Sequence, residues 1–73
     1  MRKEFLYVTS LVEGKELYLN TDRISSIESR DSSSSIIWMD NGKRMVVAGA
    51  ANQILSRIEE MENETRRRNI YND

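Results

Sequence analysis

The sequence predicts an α+β domain, an antiparallel sheet of four to five strands with one C-terminal amphipathic helix, and three observations carry that reading. Asp40-Asn41-Gly42 stands between two apolar β-type runs, Ile36-Ile37-Trp38-Met39 and Met45-Val46-Val47. An Asn-Gly pair in that setting is the strongest short-range hairpin signal, because both residues tolerate the positive φ of a tight turn. A second pair of apolar runs, residues 5–12 and 15–20, flanks Glu13-Gly14 and reads as another hairpin. Beyond Gly49, Ala51, Ile54, Leu55, Ile58 and Met61 recur at intervals of three and four, one apolar stripe on a helix over residues 50–68.

Taken in order, Leu6, Val8 and Val12 fall on one face of the first strand and Phe5, Tyr7 and Leu11 on the other. In the second strand Leu17 and Leu19 point inward and Tyr18 outward. Asn20-Thr21-Asp22 is a breaker cluster that predicts an Asx-type or single helical turn. Ile24 and Ile27 anchor a short following strand, and residues 30–34 (R-D-S-S-S) read as a polar connection. The central hairpin lacks polar alternation: Ile37 and Met39 share one face, Ile36 and Trp38 the other, with Val46 opposite Met45 and Val47. A single helix covers one sheet face, so the second face predicts an oligomer interface at Ile36, Trp38 and Val46. The helix carries Glu62/Arg66 and Glu64/Arg68 at i,i+4, with Arg66-Arg67-Arg68 placed to complement the macrodipole. Residues 69–73 read as a frayed tail.

Composition bounds the chemistry. Seventy-three residues make one small domain, and a chain of this size buries only about 60% of its unfolded surface, so stability is slight or borrowed from association. There is no cysteine and no histidine, which removes disulfides, thiolate metal sites, the usual general base and the commonest metal ligand. No catalytic residue and no metal or other cofactor is expected. Asp22, Asp31 and Asp40 each sit in a turn signal, where aspartate is a structural choice, and the serine run has no base to activate it. Gly14, Gly42 and Gly49 are too dispersed for a phosphate loop. No apolar run approaches the roughly 20 residues that span a bilayer and no signal sequence follows Met1, so the expectation is a cytoplasmic protein with no membrane insertion.

Two readings of the surface follow. The leading one is a non-enzymatic interaction or regulatory protein, a homodimer or higher oligomer that engages itself, with another protein as a second expected partner. The alternative is a nucleic-acid or nucleotide binder, or a phage-encoded inhibitor. It would use Lys43 and Arg44 at the hairpin and Arg66, Arg67, Arg68 and Tyr71 at the helix end. The net charge of −1 and the carboxylates at 59, 60, 62 and 64 weigh against that alternative.

The pattern from Tyr7 to about Ile58 resembles the small bacterial flagellar proteins of the FlbD (SwrD) type. The resemblance rests on Gly14-Lys15-Glu16-Leu17-Tyr18-Leu19-Asn20, then Asp22, Ile24 and Ile27-Glu28. It continues through an apolar strand, Asn41-Gly42-Lys43, the Val46-Val47 strand end and a final amphipathic helix. These are turn and core signatures and not catalytic ones. The resemblance implies a non-enzymatic accessory protein acting through contacts, in the family's case supporting motility and motor torque.

Overall fold

Five strands and one long helix follow one another in a computed structural model that describes residues 4–71, with side chains described as far as residue 64. They are β1 (Phe5–Thr9), β2 (Glu16–Asn20), β3 (Ile24–Asp31), β4 (Ser34–Met39), β5 (Arg44–Ala48) and α1 (Ala51–Tyr71), with a single 3-10 turn at Thr21–Arg23 before β3. The α+β class and the C-terminal helix are as predicted. The sheet differs: β1 and β2 form one antiparallel pair, and β3-β4-β5 a separate three-stranded antiparallel sheet.

The two sheets meet at one bridge, Ser10 opposite Val47, reinforced by the Leu11 N–H donating to the Val46 carbonyl at 2.9 Å. Read across that bridge the strands succeed one another as β2-β1-β5-β4-β3. The hairpin parts from β5 after a single contact because the chain turns back at once. The Ser10 N–H donates to the Lys15 carbonyl at 2.7 Å and the Gly14 N–H to the Ser10 carbonyl at 2.9 Å. Gly14 closes this turn at φ +67°. The expected strand over residues 5–12 therefore ends at Thr9, and Val12, assigned inward by alternation, is exposed in the turn.

Both sheets contribute their inner residues to one core closed by the helix. Leu6, Val8 and Leu19 from one sheet, Ile37 and Val47 from the other, and Ile54 of α1 form the buried core, with Leu17, Ile24, Ile27, Met39, Met45, Ile58 and Met61 packed against it. Burial follows the pleat: Ile37 pairs with Ile27 on one side and Met45 on the other, all facing inward. Arg57 adds a polar tie from the helix to the hairpin, its guanidinium donating to the Tyr7 carbonyl at 2.7 Å.

The turns show how side chains close the backbone. At the Asn-Gly hairpin the Gly42 N–H donates to the Met39 carbonyl (3.0 Å) and the Met39 N–H to the Lys43 carbonyl (2.8 Å), while Asn41 Oδ1 accepts from the Lys43 N–H (3.0 Å). Gly42 alone takes a positive φ, +87°, so Asn41 does not need the left-handed conformation that the two-residue reading gave it. The loop is a four-residue turn, Met39 to Gly42, whose last residue is the left-handed glycine. The breaker cluster is the expected Asx turn, Asn20 Oδ1 accepting from the Asp22 N–H at 3.0 Å.

The serine run is divided, not a loop. β3 continues through Asp31, only Ser32 and Ser33 turn, and Ser34 and Ser35 enter β4 as buried residues. The Asp31 carboxylate closes this turn by accepting from the Ser33 N–H at 2.9 Å and the Ser33 hydroxyl at 3.2 Å. Ser35 donates to the Gly49 carbonyl at 2.6 Å. A hydroxyl can be buried so deeply because it satisfies the carbonyl where the chain leaves the sheet for the helix. Helix α1 begins at Ala51 and runs to Tyr71, so residues 69–71, expected to fray, are helical. At about 1.5 Å per residue, its 21 residues span roughly 32 Å and overhang the sheet. Leu55, placed on the buried stripe by spacing, is half exposed.

Candidate functional site

The outward face of the β1-β2 hairpin carries three of the exposed aromatic side chains, Phe5, Tyr7 and Tyr18. Alternation sends Leu6 and Val8 inward, which leaves Phe5 and Tyr7 of β1 outward; Tyr18 of β2 lies directly opposite Tyr7 in register. The two tyrosine rings meet edge to face, centroids 5.3 Å apart. Their exposures differ, 38% for Tyr7 and 69% for Tyr18, with Phe5 at 52%. Glu16 is the diagonal neighbour of Tyr7 on the same face. Its carboxylate hydrogen-bonds the Tyr7 hydroxyl and pushes that phenol above its ordinary pKa, with desolvation a smaller contribution.

Leu11 carries this face toward the second sheet, since its backbone lies against Val46 of β5. There lie Ile36, Trp38 and Val46, on neighbouring strands. Ile36 pairs with Val46, Trp38 stands two residues along on the same face, and all three are outward but half-buried. Arg44 pairs with Trp38 in register and lays its guanidinium over the indole, 5.5 Å from the ring centre. Lys43 is exposed in the adjacent turn. The described cations are partly engaged: Arg44 on Trp38, Arg57 on Tyr7, and Arg23 bonded to Asp40 at 3.1 Å. The side chains of Arg66, Arg67, Arg68 and Tyr71 lie outside the described residues.

Apolar residues on both faces of residues 5–12 predict a strand covered on two sides at least in part, whereas Phe5 and Tyr7 remain 52% and 38% exposed. The sequence signal for this surface is that aromatic residues hold half of the outward positions of the hairpin, Phe5, Tyr7 and Tyr18 beside Thr9, Glu16 and Asn20. Two grooves flank the helix. One, of about 650 Å³, runs between β1 and α1 past Phe5, Tyr7, Arg57, Glu60, Met61 and Glu64. The other, of about 400 Å³, lies between β3 and α1 and is floored by Ile24, Ile27, Leu55 and Ile58. No group of three or more acidic side chains is clustered as for a metal among the described residues. No helix among the described residues is long and apolar enough to cross a membrane.

These features define a small α+β domain whose distinguishing surface is an apolar, aromatic outer sheet face. Residues 6–65 match the FlbD family, described as flagellar and swarming motility proteins, and the chain belongs to that family. The resemblance read from the turn and core signatures is thus borne out, and the protein is a small motility-related one. The match ends just before Arg66, so the triple arginine and Tyr71 fall outside the shared pattern. No curated protein and no solved structure matches the chain.

Proposed function

We propose that the protein is a non-enzymatic motility accessory factor that acts by binding a partner protein through its outer sheet face. The observation that carries this reading is the solvated aromatic group Phe5, Tyr7 and Tyr18 on a hairpin whose other face already supplies Leu6, Val8 and Leu19 to the core. Folding does not need those three rings. Aromatic side chains that offer large area with few rotatable bonds are what protein contacts use at their centres. Leu11 extends the patch toward Val46, Ile36 and Trp38, so the residues expected from sequence form its less exposed flank.

The test is complementation of a deletion strain of the source bacterium. Tyr18→Asp and Phe5→Asp should give normal far-ultraviolet circular dichroism and thermal transitions yet fail to restore swarming. Lys43→Ala should restore it fully. Wild-type swarming from both folded aspartate variants overturns the reading, and loss with Lys43→Ala alone would shift the working surface to the basic hairpin end.

A further inference from the structure

The aromatic face leaves the opposite edge of the fold unexplained. β3 is the longest strand, eight residues, and it borders β4 on one side and no strand on the other. Among the described residues no backbone hydrogen bond from another segment reaches its open side. Ser25, Ser26, Glu28, Ser29 and Arg30 are all exposed. An open strand edge is a template for pairing with another chain unless it is covered, shortened, bulged or broken by proline or charge. In β3 the irregularities lie toward its two ends, which leaves residues 26–29 regular and open. Beside it, on the inner side, the groove of about 400 Å³ holds half-buried Ile24, Ile27 and Ile58 together with Leu55, a leucine 50% exposed.

We infer that a second copy of this chain pairs antiparallel along β3, joining two three-stranded sheets into one six-stranded sheet about a two-fold axis at Ile27. The register is chosen by charge and by the local irregularities of the strand. β3 is irregular between Ile24 and Ser26 and again between Ser29 and Asp31, which confines regular pairing to its middle. A two-fold at Glu28 would set that carboxylate against the partner's Glu28, and one at Ser29 would rely on Arg30 in the irregular segment. At Ile27 the apolar side chain meets the partner's Ile27 on the inner face. Ser26 then faces the partner's Glu28 on the outer face, twice by symmetry, so hydroxyl donors meet carboxylates and no like charges oppose. The same axis brings Leu55 toward the partner's Leu55 across the seam, closing the two apolar grooves against each other. The strand and the groove are thus completed by one occupant, whatever the aromatic face binds.

Self-association on the outer face, which the sequence pattern suggested, is the competing arrangement, and sedimentation separates the two. The full chain should sediment as a dimer at about 200 µM and shift toward monomer on dilution to a few µM, as mass action requires. Ser26→Glu, an exposed change, sets two glutamates against each partner's strand and should raise the dissociation constant by roughly tenfold or more. Ser26→Lys should lower it by a similar factor, and Ser26→Glu combined with Glu28→Lys, which exchanges the charges of the same two pairs, should restore dimerisation to the level of Ser26→Lys. Tyr18→Asp should leave the mass unchanged. A wild-type chain that is monomeric at the higher concentration overturns the inference. So does a shift of the same sign for Ser26→Glu and Ser26→Lys, or a dimer dissociated by Tyr18→Asp or Trp38→Ala but not by Ser26→Glu. The swarming test of the aromatic face is read separately, so either conclusion can fail alone.

Discussion

Ile37→Ala should remove a large share of the protein's stability. Ile37 has no exposed surface, pairs with Ile27 and Met45 in the central sheet, and lies in one core with Val47 and Ile54. Truncation deletes three carbon groups, about 2.4 kcal/mol at about 0.8 kcal/mol each. The cavity left between sheet and helix adds to this, so about 3–4 kcal/mol is expected, within the range for buried isoleucine to alanine. At roughly 0.05–0.15 kcal/mol per residue, a chain of 73 residues holds only about 4–11 kcal/mol. Urea unfolding followed by the fluorescence of Trp38, the next residue on β4, measures the loss directly. With a slope near 1 kcal/mol/M for so small a domain, the midpoint should fall by about 3 M. A fall of less than about 1 M with unchanged slope would show that the core does not centre on Ile37. Ile37→Asp adds an unpaired buried carboxylate and should leave no cooperative transition.

Other outcomes follow from the turns. Gly42→Val should cost more than Gly14→Val, because φ +87° lies further from the left-handed helical region than φ +67°, and thermal melts rank the two. Gly49, at φ +111°, should be the least tolerant glycine of all: a Cβ there would meet Ile54 only at an ordinary 3.5 Å, so the loss is backbone strain and not a clash. Ser35→Ala should lower stability by about 1–3 kcal/mol by stranding the Gly49 carbonyl; a neutral result in denaturant titration would mean that carbonyl finds another donor. The Ser33 N–H, with other donors of the same turn, holds the Asp31 carboxyl below its ordinary pKa, so folding favours its ionised form. Its contribution is present above the usual carboxylate range and lost as pH falls through the folded-state value. Asp31→Ala should therefore lower the melting temperature at neutral pH and have little effect in strong acid.

What the sequence determined by itself is whatever its chain neighbours decide. The turn at Asn41-Gly42, the Asx turn at Asn20, the inward set Leu17, Leu19, Ile37 and Val47, and the helical stripe through Ile54, Ile58 and Met61 depend on backbone sterics and on periods of two and 3.6. Those are properties of a few consecutive residues, so they were legible without a partner segment. Tertiary structure decided the rest. Val12 alternates correctly with Val8 yet is exposed, because the Ser10–Val47 bridge ends β1 and sends the next residues into the turn. Ser35 is polar by composition yet buried, because its hydroxyl meets a carbonyl fourteen residues away. Leu55 belongs to the apolar stripe but is 50% exposed, lining the groove beside β3 with Ile24, Ile27 and Ile58 while Ile54 takes the core position. The site divides in the same way: alternation alone turned Ile36, Trp38, Tyr7 and Tyr18 outward. How far each met water was a tertiary matter: Arg44 of the neighbouring strand lies over the indole of Trp38, whereas Tyr18 stays 69% exposed with Tyr7 edge-on beside it.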